Sequence, residues 1–456
     1  MVTAGTETRL RMSEVISALS YALDITEGQP PGHAIRSCLI GMRLASELGL
    51  DDATRSSLYY ALLLKDAGCS SNAAKISSLF RGDDLRLKAG VKTVDWTRFG
   101  ANAVWALRNV APDSSRLGRA VAVLRLGLRG GTQQEIFATR CERGAEIALE
   151  LGFDEATAAA IRTLDEHWDG RGQPLGLRAE EIPLLGRILC LSQSVDIFAV
   201  VEGPATAFRM ARDRRGTWFD PDLVRSLEAF EGDGEFWARL SSDRIEELVA
   251  EIEPAEHVLH VDESGLDRIA DAFARVIDAK SPFTARHSER VAEVATGIGA
   301  VLGLPDEELR RLRRAALLHD IGKLGVSNLI LDKPAGLTAA ERESVELHPA
   351  HTHEFLRRVS PFAGLAADAS DHHEKLDGSG YPRGLSGDEV SLTARILAVA
   401  DMFEAMTAER PYRGATPTDD VLAALDAETP ATLDPRCVAA LRAWVEAASD
   451  QVASAG

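Results

Sequence analysis

Apolar residues recur along this chain at intervals of three and four, the spacing that lines one face of an α-helix. The pattern is clearest over Met12–Leu23, Ala34–Leu48, Leu266–Ile277, Ser288–Leu302, Leu309–Leu318 and Leu392–Met406. The strict alternation of a half-buried strand is scarce, with His257–Val261 the modest exception. An all-α fold is predicted. Between Glu231 and Ser264 the periodicity gives way to acidic residues broken by Gly232, Gly234 and Pro254. A domain boundary is placed there, near residue 255, giving segments 1–254 and 255–456.

The two segments are related. His33-Ala-Ile-Arg36 and Leu48-Gly-Leu50 match His287-Ser-Glu-Arg290 and Leu302-Gly-Leu304 at an offset of 254, and Ala61–Asp66 matches Ala315–Asp320 at the same offset. Asp169-Gly-Arg-Gly172, Pro174 and Gly186–Ile188 match Asp377-Gly-Ser-Gly380, Pro382 and Ala394–Ile396 at an offset of 208. Several matches in one order indicate a tandem duplication. The change of offset places 46 extra residues in the first copy between these blocks.

At 456 residues the chain exceeds one ordinary core, consistent with this division. The net charge of −19 argues against a long nucleic acid as partner, because its phosphates would be repelled. A small anion can still be held where a local cationic pocket overrides the global charge. The five cysteines (Cys38, Cys69, Cys141, Cys190, Cys437) are scattered and show no CxxC pair, so neither a disulfide framework nor a zinc knot is expected. No leader-like segment and no uninterrupted apolar run of the ~18 residues needed to span a membrane stands out. A cytoplasmic protein without membrane partners is expected.

The chemistry concentrates in the second segment. His319-Asp320 closes an apolar helical run, and residues adjacent on a helix differ by about 100° and can reach one ion. His287 lies upstream, while His348 and the pair His372-His373 lie downstream. Asp401 sits within the apolar helix Ile396–Met406, where an unpaired carboxylate is costly to bury. Five histidines and two aspartates form the mixed imidazole–carboxylate set used by Fe, Mn or Zn. That is more than one open catalytic site needs, and it suits two ions about 3.5–4 Å apart sharing a carboxylate. Such a pair acidifies a bridging water and polarises a phosphorus centre.

His287-Ser-Glu-Arg-Val, His319-Asp-Ile-Gly-Lys323, Lys333-Pro-Ala-Gly-Leu-Thr338, His348-Pro349, His372-His-Glu-Lys-Leu-Asp-Gly-Ser-Gly-Tyr-Pro382, Ala394–Asp401 and Arg410-Pro-Tyr-Arg413 together resemble the HD-GYP family, HD-domain phosphohydrolases that cleave cyclic di-GMP. The resemblance implies tandem HD-type helical domains, the second active. It implies that His287, His319, Asp320 and Asp401 form one metal site, with Asp320 bridging, and that His348, His372 and His373 complete the other. Two divalent transition ions are expected, Fe or Mn first, with Zn, Ni or Mg as alternatives. Lys323 would act with Asp320 in catalysis, contacting the phosphate or the leaving oxygen; capping of a helix end is its plain structural alternative. Tyr381 would flank the pocket, and Arg410 and Arg413 would contact ligand unless they serve as solvated or ion-paired residues.

Members of the family with three metals carry a Glu where this chain has Phe283, so two ions are expected. Thr352 and Glu404 replace the usual Gly and Asp without removing a ligand. His351, His353 and the run Arg310–Arg314 are read as surface residues. In the first copy Lys65, Arg140, Leu164, Asp165 and Gln193 stand where His319, His348, His372, His373 and Asp401 stand in the second. That half is expected to be non-catalytic, serving packing, regulation or a homodimer contact. The expected reaction is attack of a metal-bridging hydroxide on a cyclic dinucleotide, cyclic di-GMP foremost. Alternatives are another cyclic dinucleotide or nucleotide with the same site, or a ligand-binding signalling adaptor.

Overall fold

The computed structural model describes residues 10–92, 94, 99–112, 114–115, 117–119, 121–123, 132–242, 244–254, 259–409 and 414–455. Arg410 and Arg413 lie outside these residues, as do 255–258, where the sequence placed the boundary. Helices account for nearly all regular structure, and the only strands among the described residues are Leu10–Arg11 and His260–Val261, paired antiparallel with Leu10 opposite Val261. The modest strand expectation thus holds at its last two residues. The chain separates into two compact units, Met1–Arg268 and Ile269–Gly456, and the helix Glu263–Asp278 contains the division.

In the first unit the core is built on helices His33–Glu47, Asp52–Leu64 and Leu184–Glu202. Leu58 to Leu64 is an unbroken buried run, as expected of a helix surrounded by others. Asp51 starts its helix by accepting the backbone N–H of Thr54 at 2.8 Å. Leu184–Glu202 has the length and hydropathy of a membrane span, but 72% of the stretch is buried inside the unit, which makes it a core helix. The extra residues of the first copy form helices Ala73–Phe80, Asp84–Val91 and Phe99–Asn109, with a small core of Ile76, Leu87, Trp105 and Ile136.

The second unit packs helices His287–Val301, Asp306–Leu318, His348–Arg358 and Leu392–Thr407 about a core that includes Val291, Ile298, Leu317, Phe355 and Val399. Ser391 caps the last of these by accepting the N–H of Ala394 at 3.1 Å. Each of the four carries a candidate ligand within it or immediately after it.

Candidate metal centre

The helix Asp306–Leu318 ends in buried Ala315–Leu318, and the chain then turns into the 3₁₀ segment Ile321–Gly325. His319 and Asp320 occupy the turn between them, both 1% exposed. Thr352 locks this turn to the His348 helix: its hydroxyl donates to the His319 carbonyl at 2.8 Å and accepts the Gly322 N–H at 3.1 Å. The threonine that stands in place of the family's usual Gly therefore acts as a tie. Gly322 is also forced, since a Cβ there would lie 2.0 Å from the His348 carbonyl oxygen.

The structure brings all seven predicted ligands together. On one side of Asp320, its Oδ2 lies 3.4 Å from Nε2 of both His287 and His319, and Asp401 Oδ1 lies 3.3 Å from His287 Nε2. On the other side, Asp320 Oδ1 lies 3.2 Å from His348 Nε2 and 3.9 Å from His372 Nε2. His373 completes that group, with its ring 4.0 Å from His372 and 5.1 Å from His348, centroid to centroid. Two ligand groups, His287–His319–Asp401 and His348–His372–His373, thus flank one carboxylate.

The donor set calls for cations. Nδ1 of His319, His348 and His372 lies 2.6–2.7 Å from the carbonyls of Ala316, Val345 and Ala369, which fixes the proton there and leaves each Nε2 with a lone pair. The Nε2 atoms of His348 and His372 then face each other at 3.4 Å, and Asp320 Oδ1 faces the first of them at 3.2 Å. Three acceptors converge with no proton between them. His319 Nε2 and Asp320 Oδ1 are buried without a hydrogen-bond partner. A divalent ion on each side of Asp320 would satisfy all of these atoms.

The electrostatics divide in the same way. Burial, reinforced by the neighbouring imidazoles, keeps His372 neutral, and burial pushes His373 down to about 3. At His287 burial opposes protonation, but bonds to Asp320, Asp401 and Glu404 overcome it and raise the pKa well above the ordinary value. The carboxylate side demands positive charge, while the imidazole side offers lone pairs.

The sequence assigns no role to two glutamates that contribute here, Glu404 and Glu374. Glu404 accepts from His287 Nδ1 and binds Arg290 through both Nε (2.7 Å) and Nη2. It follows Asp401 by three residues, hence on the same helix face. Glu374, buried beside the histidine pair, accepts the backbone N–H groups of Arg383 (2.6 Å), Gly384 (3.2 Å) and Leu385 (2.8 Å), anchoring the loop that holds Tyr381. The Tyr381 ring packs on His373 at 4.8 Å. Lys323 Nζ lies 2.5 Å from Asp320 Oδ2, in the centre and not merely at a helix end. A cavity of about 640 Å³ opens from His287, Asp320 and Asp401 past Lys323 and Phe283 towards Arg342. His351 and His353 are exposed, as expected.

The first unit repeats this frame with different chemistry. His33 Nδ1 and Arg36 Nε each lie 2.7 Å from Asp196, the position of Glu404. Glu166 accepts the N–H groups of Leu175, Gly176 and Leu177, as Glu374 does for its loop. At the centre, however, Lys65 Nζ is bonded to Asp66 Oδ2, and Lys92 Nζ lies 3.6 Å from Asp66 Oδ1 and 2.7 Å from Glu27. Arg140 bridges Glu27 and Asp165. Glu27, Asp66 and Cys69 come close enough to share an ion, but these ammonium and guanidinium groups already neutralise the carboxylates, and burial keeps the Cys69 thiol protonated.

The sequence pattern of the HD domain matches residues 130–223 and 271–437. The 3'3'-cGAMP-specific phosphodiesterase 3 of Vibrio cholerae is 46% identical over 433 residues, 94% of each chain. The cyclic di-GMP phosphodiesterase response regulator RpfG of Xanthomonas campestris is 41% identical over 188 residues, 40% of this chain and 50% of that one. A crystal structure of a cyclic GMP-AMP-specific phosphodiesterase from V. cholerae superimposes with a TM-score of 0.66 at 40% identity, covering 96% of this chain and 98% of the other.

Proposed function

This chain belongs to the HD-domain family, in its HD-GYP branch of metal-dependent cyclic dinucleotide phosphodiesterases, and from that premise we propose that its second unit holds two divalent transition-metal ions and cleaves 3'3'-cGAMP. The two-ion reading rests on one observation: the two oxygens of Asp320 face separate ligand groups. Such ions, Fe or Mn by their ligand preferences, supply Lewis-acid polarisation of the phosphate and acidification of water. Asp320 and Asp401 neutralise part of their charge. Lys323, held beside Asp320, donates to the phosphoryl or departing 3′ oxygen as negative charge develops there. His348, His372 and His373, kept neutral by burial, act as ligands and not as proton donors.

The preference for 3'3'-cGAMP follows a relative that is similar along 94% of both chains. Cyclic di-GMP is the second reading, favoured by the 41% match to RpfG over 188 residues. A comparison of kcat/KM on the two compounds decides between them. Replacing His319 and Asp320 together by Ala is expected to abolish turnover while the far-ultraviolet dichroism stays that of the wild type. Turnover that persists refutes the assignment. The first unit is proposed to be metal-free and non-catalytic, because Lys65, Lys92 and Arg140 already balance its buried carboxylates.

A further inference from the structure

We propose that Arg342 binds the second phosphodiester of the substrate, the one not being cleaved; this rests on the reading that the substrate is a cyclic dinucleotide. Such a ring carries two phosphodiester anions, and the metal centre with Lys323 serves only one. The second must leave water inside the cavity, where an unpaired anion is costly without a cationic donor.

The cavity wall includes four cationic residues, Lys280, Lys323, Lys333 and Arg342. Lys323 is bonded to Asp320 at 2.5 Å. Lys333 is held by both oxygens of Glu341, at 2.9 and 2.6 Å. Lys280 is buried, at 2% exposure. Arg342 is exposed and, among the described residues, has no ion pair or side-chain hydrogen bond. Its neighbour Glu341 is not a counter-ion for it, being committed to Lys333 and to the capping box with Thr338.

The helix Ala339–Glu346 fixes the backbone from which the Arg342 side chain projects. Its start is fixed by the capping box. Near its end the Val345 carbonyl holds His348 Nδ1 at 2.7 Å, which ties the helix carrying Arg342 to a candidate ligand. Three residues separate Arg342 from Val345, about 4.5 Å along the axis. Arg342 lines the same cavity as His287, Asp320 and Asp401. A planar, forked donor suits a diester oxygen pair.

The test compares two substrates on the metal-loaded chain. Bis(p-nitrophenyl) phosphate has one diester, and the cyclic dinucleotide has two. Arg342→Ala is expected to lower the ratio of kcat/KM on the cyclic dinucleotide to that on the nitrophenyl diester about 10–100-fold, mainly through KM, as loss of a charge-assisted contact should. Arg342→Lys should recover part of that ratio. An unchanged ratio, whether both activities fall together or neither moves, overturns the proposal. A wild-type chain that cleaves the nitrophenyl diester but no cyclic dinucleotide overturns instead the functional reading beneath it.

Discussion

Replacing Glu404 by Gln isolates what the carboxylate behind His287 contributes. Glu404 is 3% exposed at its side chain and binds His287 Nδ1 on one oxygen and Arg290 on the other. This fixes the ring so that Nε2 points to Asp401 and Asp320, 3.3 and 3.4 Å away. Glutamine keeps the shape but cannot accept from both partners, because one end of its amide is a donor. Either His287 loses its acceptor or the amide N–H₂ is pressed against the Arg290 guanidinium. Loss of such an outer partner weakens metal binding about 10–100-fold, or roughly 1.4–2.7 kcal/mol. We expect this loss in one of two ions. The assay is anaerobic Mn²⁺ or Fe²⁺ titration of metal-free protein against a chromophoric chelator, with the metal-free melting temperature followed in parallel. Asp196→Asn breaks the equivalent contact to His33 and Arg36 in the first unit and should leave both metal affinities unchanged. If Glu404→Gln lowers only the melting temperature and both ions bind as before, Glu404 is a helix clamp and the reasoning fails.

Metal analysis of the purified chain should give about two ions, and removal of Asp320 alone should empty both positions, since it faces both groups; retention of one ion would separate the two sites. Lys65→Ala leaves buried Asp66 with Lys92, at 3.6 Å, as its remaining ammonium partner, and should cost about 3 kcal/mol in urea unfolding without changing metal content. Glu374→Ala strands three backbone donors and should raise hydrogen exchange and protease cleavage around residues 377–385. Burial raises Asp24 to about 7, above its unfolded value, so between about pH 4 and 7 the folded chain holds a proton that the unfolded chain has shed. Its stabilising effect is therefore greatest in acid and falls as pH rises through that window, and Asp24→Asn should flatten the curve of stability against pH there.

The all-α class was legible because helical periodicity runs through both halves, and the seven candidate ligands because imidazoles and carboxylates in apolar helices have few inexpensive roles. The structure gathers them about Asp320. What escaped were residues whose meaning lies in a partner distant in sequence. Glu404 reads as a replacement that removes no ligand until His287 and Arg290, more than a hundred positions away, are seen bonded to it. Thr352 is similar, since its tie to the His319 turn exists only once two helices pack. The lysine at position 65 could be read as charge in place of a metal, but Lys92 could not, because it comes from the extra residues that have no counterpart in the second copy. Arg410 and Arg413, expected to contact ligand, lie outside the described residues.

The glutamate staple beneath the Tyr381 loop has a consequence for how such proteins diversify. Its three bonds run to main-chain donors, and the same arrangement persists in the first unit, where Gln173 stands at the position of Tyr381. The loop's anchorage to this glutamate is therefore independent of which residue stands at the Tyr381 position. Selection can change the residue at that position while the main chain beneath it stays stapled to the glutamate.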